Sequence, residues 1–206
     1  MKKYRVNAEE ICKYSKFSFT RKLVSAAGGN LSMRLPNNEG FLITPSGLSL
    51  YDLCPDQLVH LNNENNVLNN TIYKPSKESS LHLIVYKNKP NANVIIHVHP
   101  IYCIVLSIME KTIPLVTVSA KNKIVQSKFV VGEYDAGSEL LCQQTEKALK
   151  TIEQDNGIIL LKAHGVVSFG ENFEDAFNNV DLAEDTAKIF LEVENLRNNL
   201  TKSNLL

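Results

Sequence analysis

Apolar positions along this chain keep two rhythms, one near 3.6 residues and one near 2, and the changes between them mark the predicted elements. Residues 8–27 carry Ile11, Tyr14, Phe17, Leu23 and Val24 at helical spacing, which predicts a helix ended by Gly28 and Gly29. "LSMRL" (31–35) and "GFLIT" (40–44) predict two short strands joined by the turn "PNNEG", and "PSG" turns the chain at 45–47. "QLVHLN" (57–62) reads as a third strand, closed by the polar turn "NENN". The period returns to helical over 76–88, with Ser76 as a cap and Leu81, Ile84 and Val85 on one face.

An apolar run, "NVIIHVHP", follows; residues 93–99 predict a buried strand closed by Pro100, and "IYCIVLSIM" (101–109) predicts a buried helix. "IPLVTV" (113–118) and "KFVV" (128–131) read as strands, "GEYDAGS" (132–138) as a loop, and Ser138 as the cap of a helix over 139–151. "GIILLKAHGVVSFG" (157–170) predicts a buried strand, a His-Gly turn and a second short strand. Residues 173–199 predict a long amphipathic helix with Phe173, Phe177, Val180, Ala183, Ala187, Phe190, Val193 and Leu196 on one stripe, and the final "NNLTKSNLL" is expected to fray.

Helices and strands alternate, yet several strand pairs are joined by short turns. That order predicts an α/β fold with a mixed or largely antiparallel sheet covered by helices, not a purely parallel one. A length of 206 residues without repeat, low-complexity segment or interior linker suits a single domain over 1–206. Lys and Arg balance Asp and Glu at 22 each, which argues against a general nucleic-acid or anionic-membrane binder. No apolar run approaches a membrane span, and "MKKYRVNAEEICKYSK" lacks the apolar core of a signal peptide. Cys12, Cys54, Cys103 and Cys142 form no CxxC pair, so reduced thiols in a cytoplasmic protein are expected.

The chemistry gathers at the histidines. In a strand His97 and His99 share one face, about 6.6 Å apart, and a core has no need of such a pair, whereas a metal ion does. His164, at the end of "GIILLKAHG", is well placed to face a pocket; His60 reads as a surface or supporting residue and His82 as a hydrogen-bonded structural one. Glu78 opens the 76–88 helix, where the dipole favours a carboxylate, and shares a face with His82. Beside a dication such a carboxylate can act as ligand, as general base, or as each in turn. Three histidines and one carboxylate suit a borderline divalent ion, zinc first. "GGNLS", "TPSG" and "PSK" are small polar turns of the kind that cradle phosphate oxygens, with Lys77 adding a positive charge.

These segments resemble the class II aldolase/adducin family, the group of fuculose-phosphate aldolases and ribulose-phosphate 4-epimerases. The matches are "GNLSMR" (29–34), "ITPSG" (43–47), "KPSKESSLHLIVY" (74–86), "HVHP" (97–100) and "KAHGVV" (162–167), in the family's order from about residue 8 to 195. The resemblance implies a three-layer α/β/α domain whose central sheet is mixed and mostly antiparallel. It implies one zinc ion per subunit held by His97, His99 and His164, with Glu78 as acid/base and as fourth ligand without substrate. Asn30, Ser46, Gly47 and Ser76, with Lys77, would hold a substrate phosphate, and homotetramers with the site near a subunit interface are expected.

The implied reaction is the retro-aldol cleavage of an L-fuculose-1-phosphate-like ketose 1-phosphate to dihydroxyacetone phosphate and an aldehyde, with Glu78 returning a proton to carbon. Glu at this position favours aldolases, since the epimerases usually carry Asp. A 3-oxo-tetronate 4-phosphate decarboxylase is the nearest alternative, ahead of a 4-epimerase and a methylthioribulose-phosphate dehydratase. A non-enzymatic adducin-like module ranks last because this chain keeps the ligand set. Ala27 stands where fuculose-phosphate aldolases carry Thr, Lys77 replaces a common Ser, and "IPLVTVSAKN" has no counterpart to their tyrosine, with Tyr134 nearby in sequence.

Overall fold

The computed structural model describes residues 2–203. Six strands, β1 (Asn30–Arg34), β2 (Phe41–Ile43), β3 (Val59–Leu61), β4 (Val94–Val98), β5 (Gly157–Leu161) and β6 (Gly165–Gly170), form one sheet in the order β3-β2-β1-β4-β6-β5. Every neighbouring pair is antiparallel. Six helices surround it: α1 (Arg5–Thr20), α2 (Ser79–Asn88), α3 (Ile101–Ile108), α4 (Val118–Lys123), α5 (Glu139–Leu149) and α6 (Phe173–Ser203).

The central strand β4 is buried on both faces, which is why its sequence is continuously apolar. Val94, Ile96 and Val98 join a cluster with Ala8, Ile11 and Tyr14 of α1, Cys103 and Leu106 of α3, and Phe173, Val180, Ala183 and Ala187 of α6. Ile95 faces the other way, in a cluster with Leu81 and Val85 of α2 and Leu141, Ala148 and Leu149 of α5. Helices therefore cover both faces, and the result is the expected α/β arrangement of three layers. His97 falls on the α2 side by strand alternation, opposite Asn30 in the β1–β4 register.

Several expectations are corrected. The first helix spans 5–20, not 8–27: Lys22 turns left-handed (φ 60°), the Leu23 amide donates to the Ser18 carbonyl, and Leu23 and Val24 are buried from a loop. Residues 113–118 and 128–131 form no strands. Pro114 interrupts the first segment, and α4 begins at Val118. The second contributes only one isolated parallel bridge to the β5 edge, Val131 to Leu161, with another just before it from Gln126 to Ile158. Helix α3 is not wholly buried; Ile101, Val105 and Ile108 are exposed. The cap of α2 is Glu78, and Ser76 Oγ instead accepts from the Glu78 amide. Ser138 does cap α5, accepting from the Leu141 amide. On the α6 stripe Val193 and Leu196 are exposed, and residues 198–203, expected to fray, continue the helix; 204–206 lie outside the described residues. All four cysteines are free, with Cys54 exposed. Among the described residues, no helix is long and apolar enough to cross a membrane.

Candidate functional site

Four elements deliver the candidate residues to one place. His97 leaves β4 toward α2, and its Nδ1–H donates to the Val166 carbonyl at 2.9 Å, which turns Nε2 toward the cluster. Two residues on, the His99 amide donates to the Leu23 carbonyl, and Pro100 opens α3. The first amides of α3 have no partner inside the helix; Glu184 of α6 accepts from Tyr102 and Cys103 at 3.0 and 2.9 Å. His164 sits in the tight turn between β5 and β6, where Ala163 is left-handed (φ 55°). The close approach of these segments requires glycine. A Cβ on Gly165 would lie 2.3 Å from the Val98 carbonyl oxygen, and one on Gly28 would lie 2.9 Å from His99 Nδ1.

The three histidines converge. His97 Nε2 lies 3.1 Å from His99 Nε2, and all three residues offer ring nitrogens within 4.8 Å of one another. Glu78 turns its carboxylate into the cluster, with Oε2 3.1 Å from His97 Nε2 and Oε1 3.3 Å from His164 Nε2. Oε1 is buried and has no hydrogen-bond partner. The 3.1–3.3 Å spacings match the edge of a tetrahedron, about 3.3 Å for bonds of about 2.0–2.1 Å. His97, His99 and His164 could hold a metal ion, and the orphaned carboxylate oxygen fits a cation at that point.

Charge is arranged to match. Burial works against ionisation of Glu78, but His97, His164 and the Asn30 hydrogen bond outweigh it and hold the carboxyl well below the usual range. Burial first, then the neighbouring His97 and His164, pushes His99 down to about 3, and burial lowers His164 too. Both rings are thus neutral near pH 7, the form that ligates metals.

A cleft of about 200 Å³ opens beside the cluster, bordered by Asn30, Ser46, Gly47, Ser76, Lys77 and Glu78 together with Ala27, Gly28, His99, Ala136 and His164. The three polar turns picked out in the sequence therefore meet at one mouth. Asn30 is buried, and its Nδ2–H donates to Glu78 Oε2 at 2.9 Å. Ser76 is buried with its oxygen taken up by the Glu78 amide, whereas Ser46 and Lys77 are exposed. His60 is elsewhere, between the Glu39 carbonyl and the Tyr4 ring. His82 is hydrogen-bonded as expected, but its partner is Asn30 of this cleft, at 2.5 Å. Tyr134 does not border the cleft; its ring folds back toward Gly132.

Residues 9–191 match the family model described as "Class II Aldolase and Adducin N-terminal domain". The chain is 33% identical over 187 residues to an L-fuculose phosphate aldolase of Methanocaldococcus jannaschii, covering 90% of this chain and 96% of that protein. It is 32% identical over 180 residues to a 3-oxo-tetronate 4-phosphate decarboxylase of Haemophilus influenzae, covering 85% and 82%. A solved structure of an L-fuculose 1-phosphate aldolase superposes with a TM-score of 0.79 at 29% identity, covering 92% of this chain and 86% of that one.

Proposed function

Because the chain belongs to the class II aldolase and adducin family and is a lyase, we propose that it cleaves a small ketose 1-phosphate, L-fuculose 1-phosphate or a close analogue. The products are dihydroxyacetone phosphate and an aldehyde. The observation that carries this reading is the Glu78 carboxylate, buried against His97 and His164 with one oxygen unpartnered. His97, His99 and His164 would hold one zinc ion, with Glu78 as fourth ligand until substrate enters. When bound, the ion supplies Lewis-acid stabilisation of charge developing on the substrate's carbonyl oxygen.

The chain's own groups account for the rest. Asn30, Ser46, Gly47, Ser76 and Lys77 would receive the phosphate at the cleft mouth. Breaking the carbon–carbon bond next to the ketone takes the proton from the hydroxyl that becomes the aldehyde and leaves an electron pair on the adjacent carbon. The ionised Glu78 carboxylate takes up a proton, from that hydroxyl or from water, and delivers it to that carbon. Its place among buried groups keeps the acid/base within reach of the reacting carbon and out of bulk water. The enzyme would act in the cytoplasm, as a homotetramer.

One observation favours a second reading. Lys77 borders the cleft and, among the described residues, no tyrosine does, so an ammonium is at hand for a substrate carboxylate. Decarboxylation of a 3-oxo-tetronate 4-phosphate also leaves the electron pair next to the ketone, needs the same proton from Glu78, and yields the same triose phosphate. Offering zinc-loaded protein a panel of ketose 1-phosphates and 3-oxo acid phosphates separates the two. Dihydroxyacetone phosphate from a ketose 1-phosphate supports the aldolase, and CO₂ from the oxo acid alone supports the rival. His97→Ala should abolish stoichiometric zinc; retention of zinc would refute the ligand assignment.

A further inference from the structure

Glu78, His82 and Tyr86 follow one stripe of α2 in four-residue steps of about 6.0 Å. Asn30, Ser32 and Arg34 follow one face of β1 in two-residue steps of about 6.6 Å. The steps nearly match, and the two rows zip together. Asn30 bonds both Glu78 and His82; Ser32 Oγ lies 2.6 Å from His82 Nδ1 and 2.7 Å from the Tyr86 hydroxyl. Arg34 ends the row with its guanidinium 4.5 Å from the Tyr86 ring centre, donating to the Tyr86, Lys89 and Ala92 carbonyls. Ser32 and His82 are fully buried, Asn30 and Tyr86 nearly so.

Donor and acceptor counting gives this row a direction. An ionised Glu78 only accepts, so the Asn30 amide must turn its NH₂ toward Glu78 and its oxygen toward His82. His82 must then donate from Nε2, and its bare Nδ1 accepts the Ser32 hydroxyl proton. Ser32 in turn accepts from Tyr86. A flipped Asn30 would set its oxygen against the carboxylate. We propose that His82 is a positioning residue for Glu78: in the Nε2–H tautomer, seated on Ser32, it locks the Asn30 amide in the orientation that presents its NH₂ to the carboxylate. This rests on the proposed role of Glu78 as acid/base and metal ligand. Neither Ser32 nor Tyr86 touches the cleft, so the row acts only through Asn30.

Two readouts test it without substrate. Nitrogen NMR of the labelled imidazole in the wild-type chain should find His82 protonated at Nε2 and bare at Nδ1; the opposite tautomer overturns the proposal. Zinc affinity, measured by competition with a chromophoric chelator, then separates two conservative variants. His82→Gln can place a donor where Nε2 stood, whereas His82→Asn keeps only a group near Ser32. Affinity should stay within about threefold of wild type in His82→Gln and weaken about tenfold or more in His82→Asn. Equal affinities in the two variants would overturn it, even if both melt at lower temperature. The tautomer is read on the wild-type chain, so the proposal is decided even where a variant fails to fold. A wild type inactive on every sugar phosphate refutes the proposed reaction instead, and neither readout depends on that result.

Discussion

His82 shows how a single buried ring couples chemistry to stability. Burial, with the charge of His97, pushes its pKa down to about 3 from the ordinary 6.5, against the pull of Glu78. Between those values the unfolded chain binds a proton that the folded ring refuses. Stability must therefore fall as pH drops from about 6.5 toward 3, by up to about 1.4 kcal/mol per pH unit for this one group, and be insensitive to it above 6.5. Urea denaturation across that range checks the slope, which His82→Gln should reduce by one proton's worth. The three converging histidines were legible because their spacing is unusual for a core and "HVHP" and "KAHGVV" carry a family pattern. The partner of His82 was not, because i,i+4 spacing puts it beside Glu78 without saying that Asn30, 52 residues away, stands between them.

Among the elements, α3 depends on a distant carboxylate. Glu184 of α6 caps two of its free amides, and bonds to a charged acceptor are worth about 1.5–3 kcal/mol each. Glu184→Ala should lower stability by about 3–6 kcal/mol at most, and less where the freed amides regain water, in denaturant titration. Because His99 lies just before α3, it should also weaken metal binding; Glu192→Ala, further along α6, should do neither. Elements with an internal signature were readable, as with β4, β6 and the Ser138-capped α5. Those whose fate depends on a partner were misread. The run 113–118 has strand-like residues but finds no sheet edge, and 128–131 meets β5 through a single bridge. The end of α1 turns on a left-handed Lys22, which no side-chain preference announces.

The whole molecule leaves two apolar rows uncovered. Ile101, Val105, Ile108 and Met109 repeat along α3 and its end, and Ile189, Val193 and Leu196 along α6, all between 38% and 65% exposed. Rows of this kind suit burial between subunits, in line with the proposed homotetramer. Light scattering should give a mass near four times the 23.1 kDa of one chain, and Ile108→Glu should lower it; a single-chain mass for the wild type would contradict the assembly. In the proposed reaction Glu78 moves a proton to and from the carbon beside a ketone. Its most direct test needs no knowledge of the aldehyde. By microscopic reversibility, zinc-loaded protein given dihydroxyacetone phosphate alone in heavy water should exchange one of the two hydrogens of the hydroxymethyl carbon. Glu78→Gln should slow this by about a hundredfold or more. Proton NMR showing no exchange by the wild type, or equal exchange by the variant, would refute that role of Glu78.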